Sequence, residues 1–155
     1  MTAHLPHAPY ITAVSAALAA AGLEPADCWV EDADLDYYRD DDLAGLATML
    51  TAVLVWDDEH PALNTEAHRH GITLAWEHPA EQWQWGARTA NGHLERDPEF
   101  LPALGRYAHP EAIVATVRAL LAGQPTPTGP APEWPEAAAT RAEVAAWAAA
   151  EESTR

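Results

Sequence analysis

The chain has 155 residues, 48% of them hydrophobic, with seven Trp and a formal net charge of −16 at pH 7. That is enough apolar material for one compact core, which argues against global disorder. Lys is absent, which excludes a Walker-A phosphate loop and Schiff-base chemistry, and the eight Gly never form a GxG fingerprint for dinucleotides.

Ser15 and Ser153 lie in no nucleophile elbow, so Ser hydrolases are not supported. Eight Arg scattered among 24 acids argue against direct nucleic-acid binding through phosphate neutralisation. No apolar run approaches the roughly 20 residues of a membrane span, and the N-terminus lacks the basic start of a secretory signal. The expected compartment is therefore the cytoplasm, with no membrane partner. The single Cys28 cannot form an internal disulfide, in keeping with a reducing compartment. Heavy use of Ala, Arg, Pro, Gly and Trp without Lys is the composition of a high-GC genome.

In chain order, residues 10–21 read as a helix. Ile11, Val14, Leu18 and Ala21 recur at helical spacing, Gly22 suits the left-handed position that ends it, and Leu23 supplies the apolar contact that follows. Cys28-Trp29-Val30 reads as a short strand, followed by an acidic run from Glu31 to Asp42. Residues 43–56 fit two patterns: a helix through Leu43, Leu46, Ala47, Leu50 and Leu54, or a buried strand at Leu50–Trp56. The reading adopted is a short helix over 41–47 leading into a strand over 49–56. Pro61 to His70 fits a short helix with Gly71 past its end.

The clearest β signal follows. Ile72, Leu74 and Trp76 alternate on one face, as do Trp83, Trp85 and Ala87, so a hairpin closed over 77–82 pairs Trp76 with Trp83 and Leu74 with Trp85. Residues 89–109 read as an irregular connection with one helical turn near Leu101–Leu104. Pro110 opens a helix with Ile113, Val117, Leu120 and Leu121 as its stripe and Gly123 as its stop. Residues 124–135 contain five Pro and read as an extended linker. Residues 136–152 are Ala-rich and helical, with Val144 and Trp147 as their large apolar groups.

The expected fold class is thus α+β: a small, mainly antiparallel sheet with a Trp-rich hairpin at about 72–88, packed by helices at about 10–21 and 110–122. Residues 1–123 form the domain, 124–135 the Pro-rich linker, and 136–155 the C-terminal helix and tail. A weak internal echo relates Val53-Leu54-Val55-Trp56-Asp57-Asp58-Glu59-His60-Pro61 to Thr73-Leu74-Ala75-Trp76-Glu77-His78-Pro79. Strand ends of one sheet converge on such patterns. These two motifs, with Trp83, Trp85 and the helix Pro110–Leu121, resemble a small domain family of unknown function found in actinobacteria. The resemblance covers Val53–Gly123, about half of the chain. It implies a single cytoplasmic α+β domain and supplies no catalytic residues.

Charge is unevenly placed. Residues 24–81 carry fifteen Asp or Glu and two Arg, whereas residues 1–23 carry no charged side chain. Asp32, Asp34, Asp36, Tyr38 and Asp40 fall at alternate positions of a calcium loop. Its turn Gly is replaced by Tyr37 and its bidentate Glu by Leu43, so an EF-hand is not supported. Aromatics among carboxylates are typical of surfaces that recognise Arg-rich partners. The candidate partner-binding residues are Asp32, Asp34, Asp36, Tyr37, Tyr38, Asp40, Asp41 and Asp42.

A histidine cluster supplies the alternative. His60, Glu66, His70 and His78 are Zn or Mn ligand types, and strand-end loops would bring His60 and His78 together. In a helix over 61–70, His68 and His70 point about 200° apart and do not chelate together. Cys28 reads as buried and inert, since Asp27 and Glu31 disfavour a thiolate. Trp134, in the Pro-rich segment, either caps the domain, meets a partner or is exposed.

The function expected from these residues is a non-enzymatic acidic interaction module (inhibitor, immunity or adaptor type, with a DNA mimic as the sharper version) that binds a basic protein. It needs no cofactor. The alternative is a small metal-binding protein or metal-dependent enzyme built on residues 57–78.

Overall fold

A computed structural model of the protein describes residues 5–34, 48–78 and 80–153, with residues 33, 34, 48, 49 and 151–153 described by backbone alone. The elements are α1 (Ala8–Ala20), β1 (Asp27–Asp34), β2 (Thr48–Trp56), β3 (Ile72–His78), β4 (Gln82–Ala87), β5 (Glu99–Gly105), α2 (Pro110–Ala122) and α3 (Ala137–Ser153). The five strands form one antiparallel sheet in sequence order, β1-β2-β3-β4-β5. The expected α+β class is the observed one. The short helix expected over 41–47 lies outside the described residues.

Local sequence explains each boundary. α1 ends as its glycine implies: Gly22 takes φ 77°, and the Leu23 N–H closes back on the Leu18 carbonyl at 2.8 Å while its side chain is buried. α2 starts on Pro110, with the His109 ring accepting from the Glu111 N–H at 3.1 Å, and stops at Gly123 in the left-handed region. The hairpin forms with Leu74 opposite Trp85, and its paired residues run from Ile72–Ala87 to Ala75–Gln84.

Two expectations are corrected. Residues 61–70 are turns, not a helix. Asn64 is committed elsewhere: its backbone N–H reaches the Leu121 carbonyl at 2.7 Å and its side-chain amide donates to the Ala122 carbonyl at 3.3 Å. The loop therefore caps the C-terminal end of α2, and Leu63 tucks into the core. Residues 99–105 are a strand, not an irregular connection with a helical turn. Pro102 disguised it. β5 is an edge strand whose register with β4 shifts between Gln82 and Trp83, and Pro102 sits in that irregular stretch, where its missing N–H breaks no ladder bond.

All three helices contribute to one apolar cluster, on the sheet face that carries Leu50, Leu54, Leu74, Trp76 and Trp83. At its centre, the Tyr10 ring lies 5.1 to 6.5 Å from those of Trp134, Tyr107, Trp83 and Trp76. Its hydroxyl donates to the Ala108 carbonyl at 2.6 Å and accepts from the Trp83 indole N–H at 3.4 Å. Burial pushes the Tyr10 pKa up, so the hydroxyl stays neutral.

The second half of the Pro-rich segment is tied to this core. Ala131 N–H reaches the Ala103 carbonyl, His109 N–H the Pro132 carbonyl and Trp134 N–H the Tyr107 carbonyl, at 2.8 to 2.9 Å. Trp134 is buried, which decides among its three readings: it caps the core. α3 then docks through Ala137, Val144 and the partly buried Trp147.

Tyr10→Phe keeps the ring and removes the bond to Ala108 and the acceptor for Trp83. It should cost about 1–3 kcal/mol in urea unfolding, the usual penalty for leaving buried polar groups unpaired. An unchanged midpoint would show that the hydroxyl does not hold the turn at Ala108.

Candidate interaction surface

Antiparallel pairing decides which candidate residues can meet. Trp56 lies opposite Ile72 and Leu50 opposite His78, so the turn after β2 sits beside the start of β3. His60 and His70 are therefore at one end of the sheet and His78 at the other, about 20 Å away along β3. The convergence of His60 with His78 expected from the sequence is corrected by this topology. The His60 ring instead accepts from the Ala62 N–H at 3.0 Å. Among the described residues, no three His, Cys, Asp or Glu side chains are grouped to hold a metal. His60, Glu66, His70 and His78 are not brought together as one group.

Cys28 is also corrected. It is exposed on the edge strand β1, with its sulfur 3.6 Å from the Ser15 hydroxyl of α1. An edge strand has a neighbour on one side only, so the burial that a central strand confers is missing.

Of the acidic candidates, Asp32 is exposed near the end of β1 and the backbone of Asp34 ends the strand. Asp36, Tyr37, Tyr38, Asp40, Asp41 and Asp42 lie outside the described residues. Within β1, alternation puts Asp27, Trp29 and Glu31 on the sheet face opposite the core. All three are exposed. The ion pairs among the described residues, Arg106–Glu81 at 2.7 Å and Arg141–Glu133 at 2.6 Å, engage no acid of β1.

That outer face has an ordered relief. Successive registers align Trp29, Val53, Ala75, Gln84 and Phe100 in one row across all five strands. Trp29, 42% exposed, and Phe100, 56% exposed, are the exposed large apolar side chains among the described residues, and they stand at the two edges. Val53 and Ala75 between them are small and partly exposed, and Gln84 donates to the Glu77 carboxylate at 3.1 Å. Thr51 and Glu77 flank the row on one side. Val55 and Thr73 flank it on the other, where Leu94 folds over Gly86.

Trp29 had a signal in the sequence that went unused: Asp27, Trp29 and Glu31 alternate against Cys28 and Val30. Phe100 had none, because its strand was hidden by Pro102.

The inner face holds the perturbed groups. His7, fully buried, stacks on Trp76 at 5.0 Å, and its Nε2–H donates to the Thr51 carbonyl at 2.8 Å, leaving Nδ1 buried without a partner. Burial holds its pKa below the usual 6.5, against the raising effects of the Thr51 bond and of Asp32. His78 is lowered too, first by burial and then by Arg106. These are features of a packed core.

Comparison of the chain with protein-family models, with curated proteins and with solved structures finds no match. No helix among the described residues is long and apolar enough to cross a membrane.

Both histidines favour the neutral form when folded. Above pH 6.5 they add no pH dependence. Below it the unfolded chain takes up protons that the folded chain resists, so stability should fall with pH. The urea midpoint is expected to be lower at about pH 5.5 than at about pH 7.5, a window in which ordinary carboxylates stay charged. His78→Gln should flatten the difference, and equal wild-type midpoints would contradict the neutral assignment.

Proposed function

We propose that the chain is a non-enzymatic acidic interaction module, acting in the cytoplasm, that binds a basic protein. Inhibitor, immunity and adaptor proteins are of this type. The observation that carries the reading is the placement of charge. Asp27, Glu31 and Asp32 lie exposed on an edge strand, outside the ion pairs found among the described residues, with Trp29 among them, and the sequence continues directly into Asp34, Asp36 and Asp40–Asp42. Exposed carboxylates beside an exposed indole suit Arg-rich surfaces: charge steers the encounter, and the ring offers a face to a guanidinium. The same field disfavours nucleic acid as the partner.

DNA mimicry is the sharper version of this reading. It requires the carboxylates to repeat at phosphate-like spacing, and the basic partner to be a DNA-binding protein. The likeness of the Val53–Gly123 motifs to an actinobacterial family of unknown function belongs with this reading and adds no activity to it.

The partner captured from native lysate supplies the test. Its affinity should fall by about tenfold or more between low salt and about 0.5 M salt, where exposed charges are screened. Asp40→Asn, Asp41→Asn and Asp42→Asn together, or Asp27→Asn with Glu31→Gln, should weaken binding by a similar factor. Binding indifferent to salt and to both sets of substitutions would refute the assignment.

A further inference from the structure

The outer face of the sheet carries more information than its charge. A five-strand row spans four strand spacings, so Trp29 and Phe100 stand about 19 Å apart across the sheet. Between them the floor is made of Val53 and Ala75, which are small, and Gln84, which is buried and bonded to the Glu77 carboxylate. The result is a shallow trough walled by two aromatic rings, with its long axis along the central strands. Sheet twist turns it into a saddle without closing it.

We infer that this trough seats a cationic amphipathic helix of the partner protein. The inference rests on the acidic-module reading above and names the element that the partner presents. Three observations select a helix. An α-helix with its side chains is about 10–12 Å wide, which fits between the walls. The floor is apolar at Val53 and Ala75, its one polar member Gln84 being bonded to Glu77, and it offers a helix the stripe contact that it needs at i, i+3, i+4 and i+7. The edge at Trp29 is acidic, with Asp27 and Glu31 exposed on the same strand, and Glu77 follows Ala75 along β3, so carboxylates lie where the polar side of such a helix would carry Arg.

The other occupants of an open sheet fit less well. A second copy stacked face to face would bring two chains of net charge −16 together with Asp27, Glu31 and Glu77 of each near the junction. A single nucleic-acid strand would find rings to stack on but carboxylates where its phosphates run. A strand added at the edge of β1 would leave Phe100, on the opposite edge, without a role.

Phe100 makes the test sharp. It sits on the edge strand farthest from β1, so attraction to the β1 acids alone would not register its loss. The probe is a peptide of about 18 residues made of Leu and Arg, with Leu at helical stripe positions, compared with a shuffled peptide of the same composition. Calorimetry should give at least about tenfold tighter binding for the patterned peptide. Phe100→Ala and Trp29→Ala should each weaken that peptide by about tenfold and leave the shuffled one unchanged. Ala75→Gln, which adds bulk to the trough floor at a partly exposed position, should do the same and serves if either aromatic variant folds poorly.

If both peptides bind alike and none of these variants matters, the seat is overturned while the acidic-module reading stands. If neither peptide binds at low salt, both fall. Tighter binding of oligothymidylate than of the patterned peptide, or a dimer of the chain that Phe100→Ala dissolves, would also overturn the seat by assigning the trough to another occupant.

Discussion

The structure depends on what Tyr10 holds together. Its ring is packed by Trp76 of β3, Trp83 of β4, Tyr107 after β5 and Trp134 of the Pro-rich segment. Its hydroxyl fixes the turn at Ala108, from which α2 begins. One side chain on the first helix thus organises elements up to 124 residues further along the chain. Large buried aromatics of this kind contribute on the order of 3–5 kcal/mol each when truncated, so a domain of ordinary stability tolerates few such losses. The hydroxyl adds direction to that payload, because a buried Tyr must find a partner.

That arrangement has a consequence on the far side of the sheet. Helices α1, α2 and α3 all serve the same cluster, so the described residues leave the opposite face without a helix. An antiparallel sheet tolerates one face in water when that face alternates polar and small residues. Here the alternation is broken at both edges by Trp29 and Phe100, which stand exposed outside the core cluster. Among the described residues, the acids of β1 likewise stand outside the ion pairs, which lie elsewhere. Groups that the core does not use, gathered on the face it leaves open, are the physical basis of the interaction reading.

The sequence was most legible where a local pattern coincided with its tertiary role. The hairpin that sets Leu74 opposite Trp85, α2 with its Pro start and Gly stop, and the Gly22–Leu23 end of α1 were all readable from spacing and caps. The failures had common causes. Pro102 reads as a breaker, but an edge strand tolerates it, so β5 and Phe100 were hidden. The stretch 61–70 carries helix punctuation, yet Asn64 is committed to the end of α2, a contact 57 residues distant. The His60–His78 pairing failed because an antiparallel neighbour reverses which strand ends adjoin. Cys28 failed because strand order, which decides edge from centre, is not written locally. Only its acidic neighbours Asp27, Glu31 and Asp32 could be read as surface from the sequence.

The central claim, that the sheet has a covered face and an open one, can be tested directly on the free chain. Hydroxyl-radical footprinting with mass spectrometry reports each side chain separately. Trp29 and Phe100 should be oxidised readily, while Trp56, Trp76 and Trp83, fully buried on the helical side, should be protected. Protection of Trp29 and Phe100 at the level of those core tryptophans would mean that the outer face is already covered, and would contradict the account.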